Sequence, residues 1–118
     1  MIIRQARLTD LDRIFEIELE NFSIEEAIPR PVFEAHLKEI KTSFLVAEKE
    51  GEILGYIEGP VVPHRYLQDQ SFTEDIKDYS HQKGGYISVT CLSIAKKAQA
   101  LGVGRKLLTA LKDLALEH

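Results

Sequence analysis

The sequence predicts an α+β or mixed α/β domain in which helices cover a sheet that contains an antiparallel hairpin. Three observations carry that reading. Apolar residues recur at helical spacing in three segments, two β-favouring runs flank a tight Glu50-Gly51 turn, and strand-like and helix-like stretches alternate along the chain. A chain of 118 residues suffices for one core, so a single domain over residues 1–118 is expected, in the order β-α-α-β-β-β-α.

Residues 2–6 read as a first strand. Thr9, followed by Asp10 and Asp12, supplies an N-cap and two first-turn carboxylates for a helix over about 10–20. Leu11, Ile14, Phe15 and Phe22 share one side of it, and Glu18 falls within the same apolar stripe. Pro29 and Pro31 punctuate a loop, after which Val32, Phe33, Leu37 and Ile40 outline a shorter helix with His36 on its inner edge. Residues 43–49 and 52–59 form a hairpin through Glu50-Gly51, and Pro60 ends it. Residues 61–83 make a long polar connection rich in Asp and Glu, a length more often functional than idle. Residues 86–94 then read as one unbroken strand near the sheet's centre, with Cys91 facing away from Leu92's side. From Gly102 a final amphipathic helix carries Val103, Leu107, Leu108, Leu111 and Leu114.

Composition narrows the function. Fifteen Lys and Arg against nineteen Asp and Glu give a net charge of −4, which disfavours nucleic acid and anionic membrane surfaces and suits a cationic substrate. A lone cysteine and the lack of a spaced Cys/His set argue against a disulfide and against a bound metal. With no apolar run long enough to span a bilayer and no signal-peptide pattern at the start, a cytoplasmic protein is expected. Asn21-Phe22-Ser23 matches a glycosylation sequon, which is idle without secretion.

The chemistry concentrates between the 86–94 strand and the last helix, in Leu92-Ser93-Ile94, a basic link with Lys96 and Lys97, and Gln99-Ala100-Leu101-Gly102-Val103-Gly104-Arg105-Lys106. A helix N-terminus offers unpaired amides and a partial positive charge, glycines let a ligand reach that backbone, and the four cations reinforce it, so the segment suits a pyrophosphate. Neither a P-loop nor a dinucleotide-binding glycine pattern is present.

Gln99-Ala100-Leu101-Gly102-Val103-Gly104 resembles the Gln/Arg-x-x-Gly-x-Gly/Ala motif of the GNAT (GCN5-related) N-acetyltransferases. Leu92-Ser93-Ile94 sits where that family has a Leu-Ala-Val strand end, and Ile3-Arg4-x-Ala6 with Asp10 is similar to its usual start. Residues 16–22 and Tyr56-Ile57-Glu58-Gly59-Pro60 look most like the arylalkylamine acetyltransferase branch and its bacterial relatives. The resemblance implies acetyl-CoA as cosubstrate and direct transfer of acetyl to a primary amine; the acidic long loop suggests a cationic small molecule, which is slightly favoured, or a basic peptide terminus. It implies that the main chain of Leu92, Ser93 and Ile94 binds the pantetheine arm, that the amides of Gln99, Ala100, Leu101, Gly102, Val103 and Gly104 with Arg105 and Lys106 hold the pyrophosphate, and that Phe22 and Pro29 line the amine pocket. Where the arylalkylamine branch has two histidines, this chain has Ser88 and Thr90, which can at most hold a water. Glu18 is then the candidate base, because a carboxylate on an apolar stripe is the kind of group active sites use to exchange protons; a helix-edge residue whose carboxylate bends to solvent or caps a neighbouring loop is the alternative. His36, His64 and His81 read as surface or loop residues.

GNAT domains continue after this helix with a fifth strand, a fourth helix and two further strands, which are expected to be lacking here. Leu116-Glu117-His118 also fits the start of an expression tag. An open strand edge would invite a partner, a second copy included. Two competitors to the enzyme therefore stand: a module that binds CoA without turnover, and a fragment that self-associates through that edge.

Overall fold

The computed structural model describes residues 1–40, 42–59, 61–62, 86–87, 89 and 91–117. Strand β1 is Ile2–Gln5, helix α1 is Leu11–Asn21 and helix α2 is Arg30–Glu39. The hairpin is β2 (Phe44–Lys49) and β3 (Glu52–Glu58), followed by the short strands β4 (Val61–Val62), β5 (Tyr86–Ile87) and β6 (Cys91–Ile94), and then helix α3 (Val103–Glu117). A four-stranded antiparallel sheet runs β1-β2-β3-β6, and β4 pairs with β5 in a separate ribbon.

The expected hairpin forms because Glu50 and Gly51 both adopt positive φ, 53° and 81°, the combination that matches the twist of the flanking strands. Its second strand carries an irregularity. Ala47 faces Gly55 but Glu48 faces Ile53, so one extra residue is inserted and the side-chain alternation changes phase. Ile53 and Tyr56 therefore share one face despite their odd spacing, while Leu54 and Ile57 share the other. On the first face Leu11, Ile14 and Ile17 of α1 and Phe33 of α2 pack against Phe44, Val46 and Tyr56. On the second, Val103, Leu107 and Leu111 of α3 pack against Leu45, Ala47, Leu54 and Ile57. Helices thus cover both faces, and burying these side chains supplies the main drive to fold.

Several sequence expectations are corrected. Thr9 does not cap α1. A 3-10 turn, Leu8–Asp10, precedes the helix, and the Asp10 carboxylate accepts hydrogen bonds from the Arg7 N–H at 2.7 Å and from the Arg4 guanidinium at 2.9 and 3.0 Å. Burial works against the Asp10 charge, but these donors prevail and hold its carboxyl below the usual range. Residues 86–94 are not one strand: β5 pairs with β4, β6 pairs with β3, and Val89 lies in neither. Ile87 packs on the α3 side while Cys91 packs on the α1/α2 side, although both should share a face in a continuous strand, so the alternation slips between them. Nor is the segment central; among the described residues β6 is the edge of the four-stranded sheet. The basic link is a 3-10 helix, Lys96–Leu101, rather than an open loop. Most of the polar connection, with His64 and His81, lies outside the described residues, as do Ser88 and Thr90. No helix among the described residues is long and apolar enough to cross a membrane.

Candidate functional site

Hydrogen-bond phase decides which part of β6 a ligand can reach. The Ala95 N–H donates to the Leu54 carbonyl at 2.8 Å, and Gly55, Tyr56 and Ile57 lie opposite Ile94, Ser93 and Leu92. In an antiparallel ladder the bonded pairs alternate, so Ser93 turns its main chain toward β3, whereas Leu92 and Ile94 turn theirs toward the open edge. Of the three residues expected to bind an extended arm, Leu92 and Ile94 therefore turn main-chain groups away from β3, and the Ile94 carbonyl is already held by Asn21 Nδ2 at 2.8 Å and Gln99 Nε2 at 3.3 Å. Ser93 contributes a buried hydroxyl instead, which accepts a hydrogen bond from Asn21 Nδ2 at 2.8 Å.

The chain then passes through the 3-10 helix and enters α3 at Gly102, whose φ of +73° is the left-handed conformation that suits glycine. Gly104 has a different role. A Cβ there would meet Ile94 Cγ1 at 3.7 Å and Cδ1 at 3.9 Å, ordinary contact distances, so close packing within the chain does not demand glycine. What the missing side chain leaves open is the mouth of α3, where first-turn amides carry the helix's positive end. Arg105 and Lys106 are exposed beside it. This backbone could hold the diphosphate of coenzyme A: first-turn amides of a helix lack partners within it, nothing stands over Gly102, only Ile94 lies near the Cβ position of Gly104 and at ordinary contact distance, and Arg105 and Lys106 make the local charge positive.

The side chains of the motif point in different directions. The Gln99 side chain turns back to donate to Asn21 Oδ1 at 2.9 Å and to the Ile94 carbonyl at 3.3 Å. Ala98 is buried, Ala100 and Leu101 are exposed, and Val103 is a core residue under the helix. The Lys97 ammonium is paired with Glu52 of the hairpin, which draws it away from the helix mouth, and the Lys96 N–H donates to Glu20 Oε1 at 3.0 Å. Beyond the mouth, an apolar cavity of about 650 Å³ runs between Ile87, Val89, Leu108, Leu111 and Ala115, with Arg105 at its wall.

On the opposite face of the sheet the structure assembles a buried polar cluster. Glu18 is only 2% exposed, and both of its oxygens accept hydrogen bonds: Oε1 from the Tyr56 hydroxyl at 2.7 Å and Oε2 from the Ile28 N–H at 3.0 Å. The loop-capping alternative is thus the geometry found, and the carboxylate fixes the α1–α2 connection to β3. Cys91 faces this cluster, away from Leu92 as expected, with its sulfur 2.9 Å from the Tyr56 oxygen. Burial pushes the Cys91 thiol up to about 12 and pushes the Tyr56 phenol up as well, so both keep their protons at neutral pH. Cys91 is expected to react with an aromatic disulfide reagent far more slowly in the folded chain than in urea, since about one thiol in ten thousand is ionised at pH 8. Equal rates in the two states would contradict that environment.

His36 is corrected most sharply. It is a fully buried residue of α2, and its Nδ1 lies 2.8 Å from Glu58 Oε2 at the end of β3. Burial pushes the Glu58 carboxyl up, against the opposing pull of His36. The pair links helix to sheet. Phe22 and Pro29 bracket the α1–α2 connection; both are exposed, Phe22 as the C-cap of α1 and Pro29 as the N-cap of α2. Asn21, His36, Tyr56 and Glu58 were the structural residues that sequence periodicity could not single out, since each finds its partner far along the chain. Among the described residues no group of three or more potential metal ligands occurs.

Comparison with known proteins agrees with this geometry. The chain is 35% identical over 108 residues to an N-alpha-acetyltransferase of Sulfurisphaera tokodaii, covering 92% of this chain and 58% of the relative. It is 32% identical over 115 residues to an N-alpha-acetyltransferase of Sulfolobus acidocaldarius, covering 94% and 62%. The chain therefore spans about three fifths of the length of these curated relatives. Its fold superposes on a GNAT-like decarboxylase, GphF, solved in complex with isobutyryl-CoA, with a TM-score of 0.80 at 19% identity over 94% of this chain and 57% of that one. The Acetyltransferase (GNAT) family model matches residues 11–118, taking in both helices of the first face, the hairpin, the open-edged strand and the glycine-bearing helix entrance. With that match over nearly its whole length, the chain belongs to the Acetyltransferase (GNAT) family.

Proposed function

We propose that the chain is the cofactor-binding part of an N-acetyltransferase that takes acetyl from acetyl-CoA and passes it to a primary amine by direct attack. The observation that carries this reading is the path from the outward main chain of Leu92, past Ile94, whose carbonyl is held by Asn21 and Gln99, to the mouth of α3 at Gly102–Gly104. The diphosphate would rest on amides of residues 102–105 with Arg105 and Lys106 beside it, and the pantetheine arm would add to the edge of β6 as an extra strand. Acetyl-CoA supplies the activated thioester. An N–H on the β6 edge would hold the thioester oxygen as negative charge develops there. GphF, which shares the fold, was solved with an acyl-CoA.

For the acceptor we favour the α-amine of a peptide terminus over the cationic small amine that the acidic connection suggested. Both curated relatives are N-alpha-acetyltransferases. Proton chemistry points the same way. Only a neutral amine attacks, and Glu18, the candidate base, has both oxygens engaged in holding the fold together, while Ser88 and Thr90 are not bases. An alkyl amine with a pKa of about 10.4 is neutral in fewer than about one molecule in a thousand at pH 7. An α-amine with a pKa of about 7.7–8.0 is neutral in roughly a tenth to a sixth of molecules, so it needs far less help. The net charge of −4 suits either cation.

The test is thiol release from acetyl-CoA with short peptides bearing free or blocked N-termini, with arylalkylamines, and with no acceptor, alongside calorimetric titration of CoA. Turnover with free N-termini alone supports the reading, and turnover with arylalkylamines restores the small-molecule acceptor. CoA binding without turnover reduces the chain to a binding module. Absence of CoA binding by folded protein removes the reading altogether.

A further inference from the structure

The last residue of α1 makes more long-range hydrogen bonds than a helix end requires. Asn21 Nδ2 donates to the Ile94 carbonyl and to Ser93 Oγ, each at 2.8 Å, and to the Ile17 carbonyl at 3.2 Å. Asn21 Oδ1 accepts from Gln99 Nε2 at 2.9 Å, and that same nitrogen also reaches the Ile94 carbonyl. One residue earlier, Glu20 Oε1 accepts the Lys96 N–H. The C-terminal turn of α1 therefore grips the final carbonyl of β6 and the first and fourth residues of the 3-10 helix that leads into α3.

Two further ties hold that segment: the Lys97 ammonium pairs with Glu52, and Ala98 is buried in the core on the α3 side. The six-residue 3-10 helix ends in a left-handed glycine, and its Ala98 N–H donates to the Ala95 carbonyl at 2.9 Å. Ile94 lies where the open edge of β6 ends and the link begins, so the bonds to its carbonyl set the angle between edge and helix mouth. Asn21 is half-buried and its amide nitrogen is fully engaged, which also explains why the sequon reading of Asn21-Phe22-Ser23 has no place in the folded chain.

We propose that Asn21, acting with Gln99, is a positioning residue for coenzyme A: it holds the Lys96–Leu101 segment so that the β6 edge and the α3 mouth face one ligand together. Gln99 thereby serves the site from behind, through Asn21 and Ile94. The proposal rests on the coenzyme A reading above. It gives α1, which also carries Glu18, a direct mechanical connection to the cofactor segment.

The experiment is calorimetric titration of CoA into the parent chain, Asn21→Ala, Gln99→Ala, the double variant and Asp10→Asn, with thermal unfolding of each. Asp10 sits at the far end of α1, and losing its ties to Arg4 and Arg7 lowers stability without touching the segment. Asn21→Ala is expected to raise the Kd for CoA about tenfold, the effect of losing one or two hydrogen bonds that position the site. The double variant should bind about as poorly as Asn21→Ala alone, because the two side chains act as one unit. Asp10→Asn should lower Tm and leave Kd within about twofold. Gln99→Ala should move the amide resonances of Gly102 and Gly104 before any CoA is added; this readout decides the matter should Asn21→Ala fail to fold. An Asn21→Ala chain that folds and binds CoA as the parent does overturns the proposal, as does an equal loss in Asp10→Asn. A folded parent that binds no CoA overturns it together with the reading beneath it.

Discussion

Gly104→Asp is expected to strengthen the fold and abolish binding of coenzyme A, two effects of opposite sign from one substitution. The position lies in the first turn of α3, where a Cβ meets Ile94 only at ordinary contact distance, so the side chain is accommodated. Replacing glycine within a helix removes a conformational cost of up to about 1 kcal/mol, and a carboxylate in the first turn gains about 0.3–1 kcal/mol from the helix dipole. The same carboxylate stands where the diphosphate would sit. Two like charges about 5 Å apart near a protein surface repel by roughly 3 kcal/mol, which corresponds to more than a hundredfold in affinity, and the loss of open space adds to it. Thermal unfolding and CoA titration of the same sample check both signs. Lower Tm with weakened binding would mean that glycine is needed for the fold, and the helix mouth would lose its special standing.

The helix mouth was legible in the sequence because its signals are local. A left-handed turn at Gly102, a helix starting at Val103 and an unhindered Gly104 are all written within a few neighbouring residues. The Glu50-Gly51 hairpin was legible for the same reason. What escaped was built by distance. His36 meets Glu58 across 22 positions, Tyr56 meets Glu18 across 38, and Asn21 meets Ile94 across 73. Periodicity put His36 on an inner helix edge but could not reveal the carboxylate waiting on β3. The division of residues 86–94 into β5 and β6 escaped for another reason: an uninterrupted β-favouring run gives no sign of a phase slip, which here is set by the different partners β4 and β3. Glu18 was singled out because it broke an apolar stripe. That signal reports burial with a partner, and it serves structure as readily as catalysis.

His36→Leu should be among the most destabilising single substitutions in the chain, at about 3–5 kcal/mol. Leucine fills much of the volume, so the cost is electrostatic rather than a cavity. His36 and Glu58 are both fully buried, with Nδ1 and Oε2 2.8 Å apart, and removing the imidazole takes away the group that draws the Glu58 carboxyl down against burial. In the variant that carboxyl rises further above its unfolded value. A raised acid binds its proton more tightly in the folded state, so it costs nothing extra at a pH below the unfolded value and progressively more as pH climbs above it. The deficit relative to the parent should therefore be larger at pH 8 than at pH 5. Adding Glu58→Leu removes the buried carboxylate as well, and the double variant should recover much of the loss, since an apolar pair can replace a buried polar pair at little net cost. Chemical denaturation of the three chains at the two pH values checks the pattern. A double variant no more stable than His36→Leu, with a deficit that ignores pH, would show that the imidazole acts through packing alone.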